Sequence, residues 1–133
     1  MTDDIKKKID VVFIAGGKFH DIDFARLEIL KLLAEDDRMK VRVFEDYSNL
    51  HAIEKADFLI TYTCDVRPTL EQQRVLKNYV SSGNRWLALH GTNSILQFMS
   101  DGKVDSPRIA PVMMETLGSQ FIAHPPIEPY NVK

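Results

Sequence analysis

The chain has 133 residues at 15.2 kDa, 44% of them hydrophobic and 27% charged, which is enough apolar surface for one buried core and excludes a disordered tail or low-complexity linker. Lys and Arg number 17 against 19 Asp and Glu, a net charge of −2 that leaves no basic excess for phosphates and argues against nucleic-acid binding. Apolar runs reach only about five residues where a membrane span needs about 20, and the polar, charged Met1–Lys8 tail has no apolar stretch behind it. No membrane segment and no secretory signal are therefore expected. The single Cys64 cannot form an internal disulfide and fits a reducing, cytoplasmic setting.

The run Ile9-Asp10-Val11-Val12-Phe13-Ile14, closed by Ala15-Gly16-Gly17, reads as a buried strand. Asp21 or Asp23 then caps a helix running to about Asp36, with Phe24, Leu27, Leu30 and Ala34 near helical spacing. Lys40-Val41-Arg42-Val43-Phe44 alternates polar and apolar, as a strand near a sheet edge does. The more continuously apolar Asp57–Tyr62 reads as a central strand. Thr69-Leu70-Glu71-Gln72 has the spacing of a capping box, Val75, Leu76, Tyr79 and Val80 form one helical stripe, and Gly83 supplies a left-handed stop. Arg85-Trp86-Leu87-Ala88-Leu89 is a fourth strand, with a further helix expected from Thr92 to about Ser100. Beyond Asp101 the pattern weakens.

The order β-α-β-(short turn)-β-α-β-α calls for a single α/β domain: a mainly parallel sheet with right-handed crossovers and helices on both faces, flavodoxin-like in its three layers. Ligands of such sheets bind outside the carboxyl ends of the strands. That rule puts Gly16–Asp21, Thr63–Arg67 and His90–Ser94 on one edge. The first of these loops has neither the G-x-G-x-x-G spacing of a dinucleotide site nor the Gly-Lys-Ser/Thr of a P-loop. Asp65 follows the third strand as a phosphoacceptor would, but no acidic pair follows the first strand to hold magnesium.

His90 stands where the fourth strand turns into the expected helix, the place of a nucleophile elbow when Ser or Cys occupies it. An imidazole there acts as a general base or a metal ligand; the alternative is a histidine that merely hydrogen-bonds in a strand-end turn. His20 lies in the first loop, with Asp21 beside it to orient the ring. Candidate ligand contacts on the same edge are Gly16, Gly17 and Phe19 from the first loop, Thr63 from the third strand, and Gly91, Thr92 and Asn93 from the elbow. Cys64 reads as a buried, inert thiol and His51 as a surface residue.

Four stretches together resemble the ThuA-like (trehalose utilisation) family, a branch of the class I glutamine amidotransferase-like fold. They are Gly17-Lys18-Phe19-His20-Asp21, Thr69-Leu70-Glu71-Gln72-Gln73 with its helix ending at Gly83, Ala88-Leu89-His90-Gly91-Thr92, and Leu117-Gly118-Ser119-Gln120-Phe121-Ile122-Ala123-His124-Pro125. The resemblance covers about Ile9 to Pro126. It implies that His20, His90 and His124 gather at one pocket, either as ligands of a zinc-like divalent metal or as proton carriers. It further implies a sugar or keto-sugar substrate of bacterial disaccharide catabolism, and no amidotransferase activity, because His90 takes the place of the elbow cysteine. Ala88 and Ser119 depart from glycines usual in the family, and family members generally carry further strands past the His-Pro motif. The expectation is therefore either a fragment of such a domain or a shortened member whose sheet a partner chain completes; a bare edge invites association, so a homo-oligomer is among the expectations. The competing reading is a non-catalytic ligand-binding or interaction domain that keeps the fold. A glutaminase would need a thiolate at the elbow.

Overall fold

The computed structural model describes residues 7–124 and 128–132. Part of the N-terminal tail (Met1–Lys6) and the prolines of the His-Pro run, Pro125 and Pro126, lie outside the described residues.

Four strands, β1 (Ile9–Gly17), β2 (Met39–Phe44), β3 (Phe58–Cys64) and β4 (Arg85–Leu89), form a parallel sheet in the order β2-β1-β3-β4. Val11 of β1 is in register with Val41 on one side and Phe58 on the other, and Phe58 with Arg85. The two β-branched, continuously apolar strands are central, as their sequences require; the alternating β2 lies at an edge.

The sheet is covered on both faces. Val11, Phe13, Ala15 and Ile60 point to one side and pack against helix α1 (Ile22–Leu33) through Ile22, Ile29, Leu30 and Leu33. Val12, Ile14 and Leu59 point to the other, where α2 (Leu50–Lys55), α3 (Leu70–Ser81) and α4 (Pro111–Leu117) supply Ile53, Leu76, Tyr79, Met113 and Met114. Asp21 caps α1, its Oδ1 accepting from the Phe24 N–H at 2.9 Å. The expected capping box at Thr69 is formed with both of its hydrogen bonds.

Two helices stand where the sequence pattern assigns none, one in the short turn expected between the second and third strands and one beyond Asp101, where the pattern weakens. One is α2, capped by Asn49, whose Oδ1 accepts from Ala52 N–H at 3.1 Å. The other is α4, opened by Pro111 and closed by Gly118 in the left-handed region. Conversely, the helix expected from Thr92 to Ser100 does not form. A single 3₁₀ turn, His90–Asn93, follows β4, and the chain then runs into a small antiparallel hairpin of β5 (Gln97–Phe98) and β6 (Val104–Asp105). Gly91, Thr92, Asn93 and Ser94 are poor helix formers, and the Leu96 N–H is taken by the Asp65 carboxylate at 3.0 Å, which leaves nothing to propagate the turn.

From β1 the chain passes through α1 to β2 on one side; from β3 it passes through α3 to β4 on the other. The loops after β1 and β3 therefore depart toward opposite faces and leave a crevice between their strand ends. This is the topological switch point at which sheets of this kind bind ligands.

Candidate functional site: a histidine pair at the switch point

His20 comes from the loop after β1 and His90 from the end of β4, and the structure brings them together across the crevice. His20 Nδ1 lies 3.4 Å from His90 Nε2, with the rings edge to face at 4.3 Å between centroids. The Tyr62 ring of β3 stacks on His90, 5.5 Å away and 9° from parallel, and fixes the plane of that imidazole. His90 itself has φ 50, a left-handed conformation uncommon for a residue with a side chain. The chain tolerates it because the next turn is anchored from below. Thr92 Oγ1 donates within hydrogen-bond reach of the Leu89 and Thr61 carbonyls and meets Thr61 Oγ1 at 3.0 Å, which in turn accepts from the Trp86 indole at 2.9 Å. Gly91 is needed there on steric grounds, since a Cβ would sit 2.9 Å from the Thr63 carbonyl oxygen and 3.0 Å from Cys64 Cβ.

The sequence reading set Asp65 aside, yet it is the hub of this edge. It too is left-handed, with φ 56, and its carboxylate is 4% exposed. Lys18 Nζ donates to Oδ2 at 3.1 Å; Arg67 Nε and the Leu96 N–H donate to Oδ1 at 3.2 and 3.0 Å. Its own N–H donates to the Ser94 carbonyl at 2.9 Å. One side chain thus ties the β1 loop, the β3 loop and the segment after the 3₁₀ turn. Burial pushes its carboxyl up, but the Leu96 N–H, Lys18 and Arg67 outweigh burial and hold it below the usual carboxylate range. An acidic residue one position past a strand end, with one basic residue two positions on in its own loop and another in the loop after β1, is the available sequence signal.

Electrostatics favour one charge on the pair rather than two. Partial burial, and then the charge of His90, hold His20 below its ordinary pKa. Cys64 is buried beneath the edge, and burial, then the Asp65 charge, push its thiol up, which suits an inert thiol.

The remaining candidates divide by depth. Gly16, Gly17, His20 and Asp21 line an open cleft of about 310 Å³ with Ile22, Asp23, Arg26 and Glu45. Gly17 has φ 108, and a Cβ there would collide with the Cys64 carbonyl, so the loop can turn only at glycine. Asp21 spends one oxygen on the α1 cap. Phe19 is exposed, whereas Thr63, Gly91 and Thr92 are buried beneath the edge as supports, Thr63 meeting the Tyr47 hydroxyl at 3.4 Å. Asn93 holds the C-terminal run: its Nδ2 donates to Ser119 Oγ at 3.0 Å, and its carbonyl accepts from the Phe121 N–H at 3.1 Å.

His124, in that run, packs against Phe121 with ring centroids 6.0 Å apart. Among the described residues no three of His, Cys, Asp and Glu are placed to hold a metal ion. Of the three histidines that the resemblance implies for a zinc-like site, the structure brings His20 and His90 within 3.4 Å of each other. The elbow also lacks the expected helix N-terminus, because a four-residue 3₁₀ turn carries no macrodipole of consequence. Among the described residues no helix is long and apolar enough to cross a membrane.

Comparison with models of known families, with curated proteins and with solved structures returned no match.

Proposed function

We propose that this chain is a ThuA-like protein of carbohydrate metabolism, with the class I glutamine amidotransferase-like variant of the flavodoxin-like architecture and a cytoplasmic location, and that its His20–His90 pair performs acid–base chemistry on a sugar-type small molecule. The observation that carries the proposal is the 3.4 Å approach of two imidazole nitrogens, contributed by two different strand ends, at the switch point of the sheet. Two imidazoles this close do not both hold a proton readily, so the proposed reaction runs with one proton on the pair. His20, held below its ordinary pKa, is the base. In the proposed reaction it accepts a proton from carbon beside the keto group of an oxidised glycoside. His90, carrying the proton of the pair in this scheme, stabilises the developing enolate oxygen; as the enolate collapses, the bond from the anomeric carbon to the glycosidic oxygen breaks, and that oxygen leaves with the bond's electron pair and takes the proton from His20, leaving an unsaturated keto-sugar. Nothing in this step requires a metal or a thiolate.

The test is turnover of a 3-keto-glycoside by wild type, His20→Asn and His90→Asn. The proposal expects a loss of about 10²–10⁴-fold in each variant, the usual worth of a positioned acid or base. Unchanged turnover in His90→Asn overturns it.

The exposure of both histidines favours a second reading, a glycoside-binding domain without catalysis. Its signature is glycoside binding with no turnover in the wild-type protein.

A further inference from the structure

Two large aromatic side chains stand in solvent beside the histidine pair. Phe19, the chain neighbour of His20, is 56% exposed, and Phe98 of β5 is 57% exposed. Their ring centroids are 5.2 Å apart and the planes are tilted by 57°, so together they form an open V. Neither ring is used by the core. Both are nevertheless held in place, and Phe19 at a cost: its φ of 68 lies in the left-handed region, which is unfavourable for a residue with a Cβ.

The holding device is Asp65. Its Oδ2 accepts from Lys18, one residue before Phe19, and its Oδ1 accepts from the N–H of Leu96, two residues before Phe98. The two oxygens of one nearly buried carboxylate thus set the spacing of the loops that carry the two rings. Phe19 is fixed from both sides, since the Lys18 N–H donates to the Cys64 carbonyl at 3.0 Å and His20 meets His90. Arg67 adds a second tie to the Phe98 side, donating from Nη2 to the Leu96 carbonyl at 2.6 Å. An apolar ring held rigid and strained in water, next to polar groups that can accept and donate protons, has the character of a ligand contact rather than of packing.

We propose that Phe19 and Phe98 form an aromatic subsite that takes the apolar C–H face of a ring-shaped, hydroxylated ligand, a pyranose by its chemistry, and turns its polar rim toward His20 and His90. The negative face of an aromatic ring attracts the weakly positive C–H bonds of such a face, and two rings in a V contact it without conformational cost because Asp65 has already ordered them. Asp65 is a positioning residue for the subsite; it does not touch the ligand. The inference rests on the carbohydrate reading of the site and adds to it what selects the ligand's shape.

Binding of methyl β-D-glucopyranoside, followed by saturation-transfer and amide chemical-shift NMR, tests it against sorbitol, an acyclic polyol with comparable hydroxyls and no ring face. Variants are Phe19→Asn, because asparagine tolerates the left-handed backbone and the fold is kept, Phe98→Ala, Phe98→Tyr and Asp65→Asn, each checked for an unchanged amide spectrum away from the edge. The expected result is at least tenfold tighter binding of the glucoside than of sorbitol. Phe19→Asn and Phe98→Ala lose that preference, Asp65→Asn weakens it, and Phe98→Tyr retains it. Equal binding of glucoside and sorbitol, or glucoside affinity unchanged in both Phe19→Asn and Phe98→Ala, overturns the subsite and leaves the carbohydrate reading standing. No glucoside binding to the wild-type protein overturns the carbohydrate reading, and the ligand named here with it.

Discussion

Of the three residues that matter most at the carboxyl edge, His20, His90 and Asp65, the first and the last titrate in environments that each make a distinct prediction. His20 is held below its ordinary value by partial burial first and by the charge of His90 second. In an NMR titration its ring is expected to protonate below the usual histidine range and to move part of the way back up in His90→Asn, with the burial contribution remaining. The linked stability follows in sign. A histidine whose folded pKa is depressed binds fewer protons folded than unfolded, so stability falls as pH drops below the unfolded value near 6.5. Wild type should lose melting temperature there more steeply than His20→Asn. Asp65 behaves oppositely. Its carboxyl is depressed in the folded chain, so its stabilisation is present above the unfolded pKa of roughly 3.9 and is lost as pH falls through the folded value. Asp65→Asn keeps the shape but strands Lys18 and Arg67. It should cost about 1–3 kcal/mol in urea unfolding at neutral pH and flatten the acid limb below about pH 4.

At the scale of elements, what could be read from the sequence was what local chemistry dictates. The capping box at Thr69 is the clearest case, because two side chains satisfy two backbone N–H groups within four residues and need no tertiary help. Thr69→Ala is accordingly expected to cost about 1 kcal/mol, read as a lower thermal midpoint, while Thr69→Ser restores most of it. The central and edge strands were legible for a similar reason, since burial on two faces gives continuous apolar runs and edge position permits alternation. The six residues of α2 are too few for a periodic signal, and only Asn49 announced the start. Pro111 and Gly118 bracket α4 in the usual asymmetric way, but a seven-residue helix among prolines gives a weak stripe, and Met113 and Met114 show their role only when packed on α3. The misplaced helix after His90 has a tertiary cause: Asp65 captures Leu96 from 31 residues away, and no local pattern encodes that. The site was legible in the same proportion. Topology put His20 and His90 on one edge. The hub that fixes their loops, and the support duty of Thr63 and Thr92 beneath them, emerge only from contacts between distant segments.

The whole molecule is asymmetric about its sheet, and the asymmetry locates its stability. One face carries α2, α3 and α4 over Val12, Ile14 and Leu59; among the described residues the other carries only α1, which packs over Val11, Phe13, Ala15 and Ile60. A single helix cannot cover four strands about 4.8 Å apart, since its own diameter with side chains is about 10 Å. Leu87 of the outermost strand β4 therefore remains 44% exposed although its register partner Ile60 is buried. The two leucines Leu59 and Leu87 lie on neighbouring strands and differ in what covers them. Leu59→Ala removes a fully enclosed side chain from the three-helix face and should cost about 2–5 kcal/mol, with the urea m-value unchanged. Leu87→Ala removes a side chain that still meets water, and nothing closes over the space it leaves, so the cost should stay below about 1 kcal/mol. If Leu87→Ala instead proves as costly as Leu59→Ala in dilute protein, β4 is covered in solution. Repeating the unfolding across a hundredfold range of protein concentration then identifies the cover. A midpoint that rises with concentration marks a second copy at the β4 edge, and a constant midpoint marks a segment of the same chain.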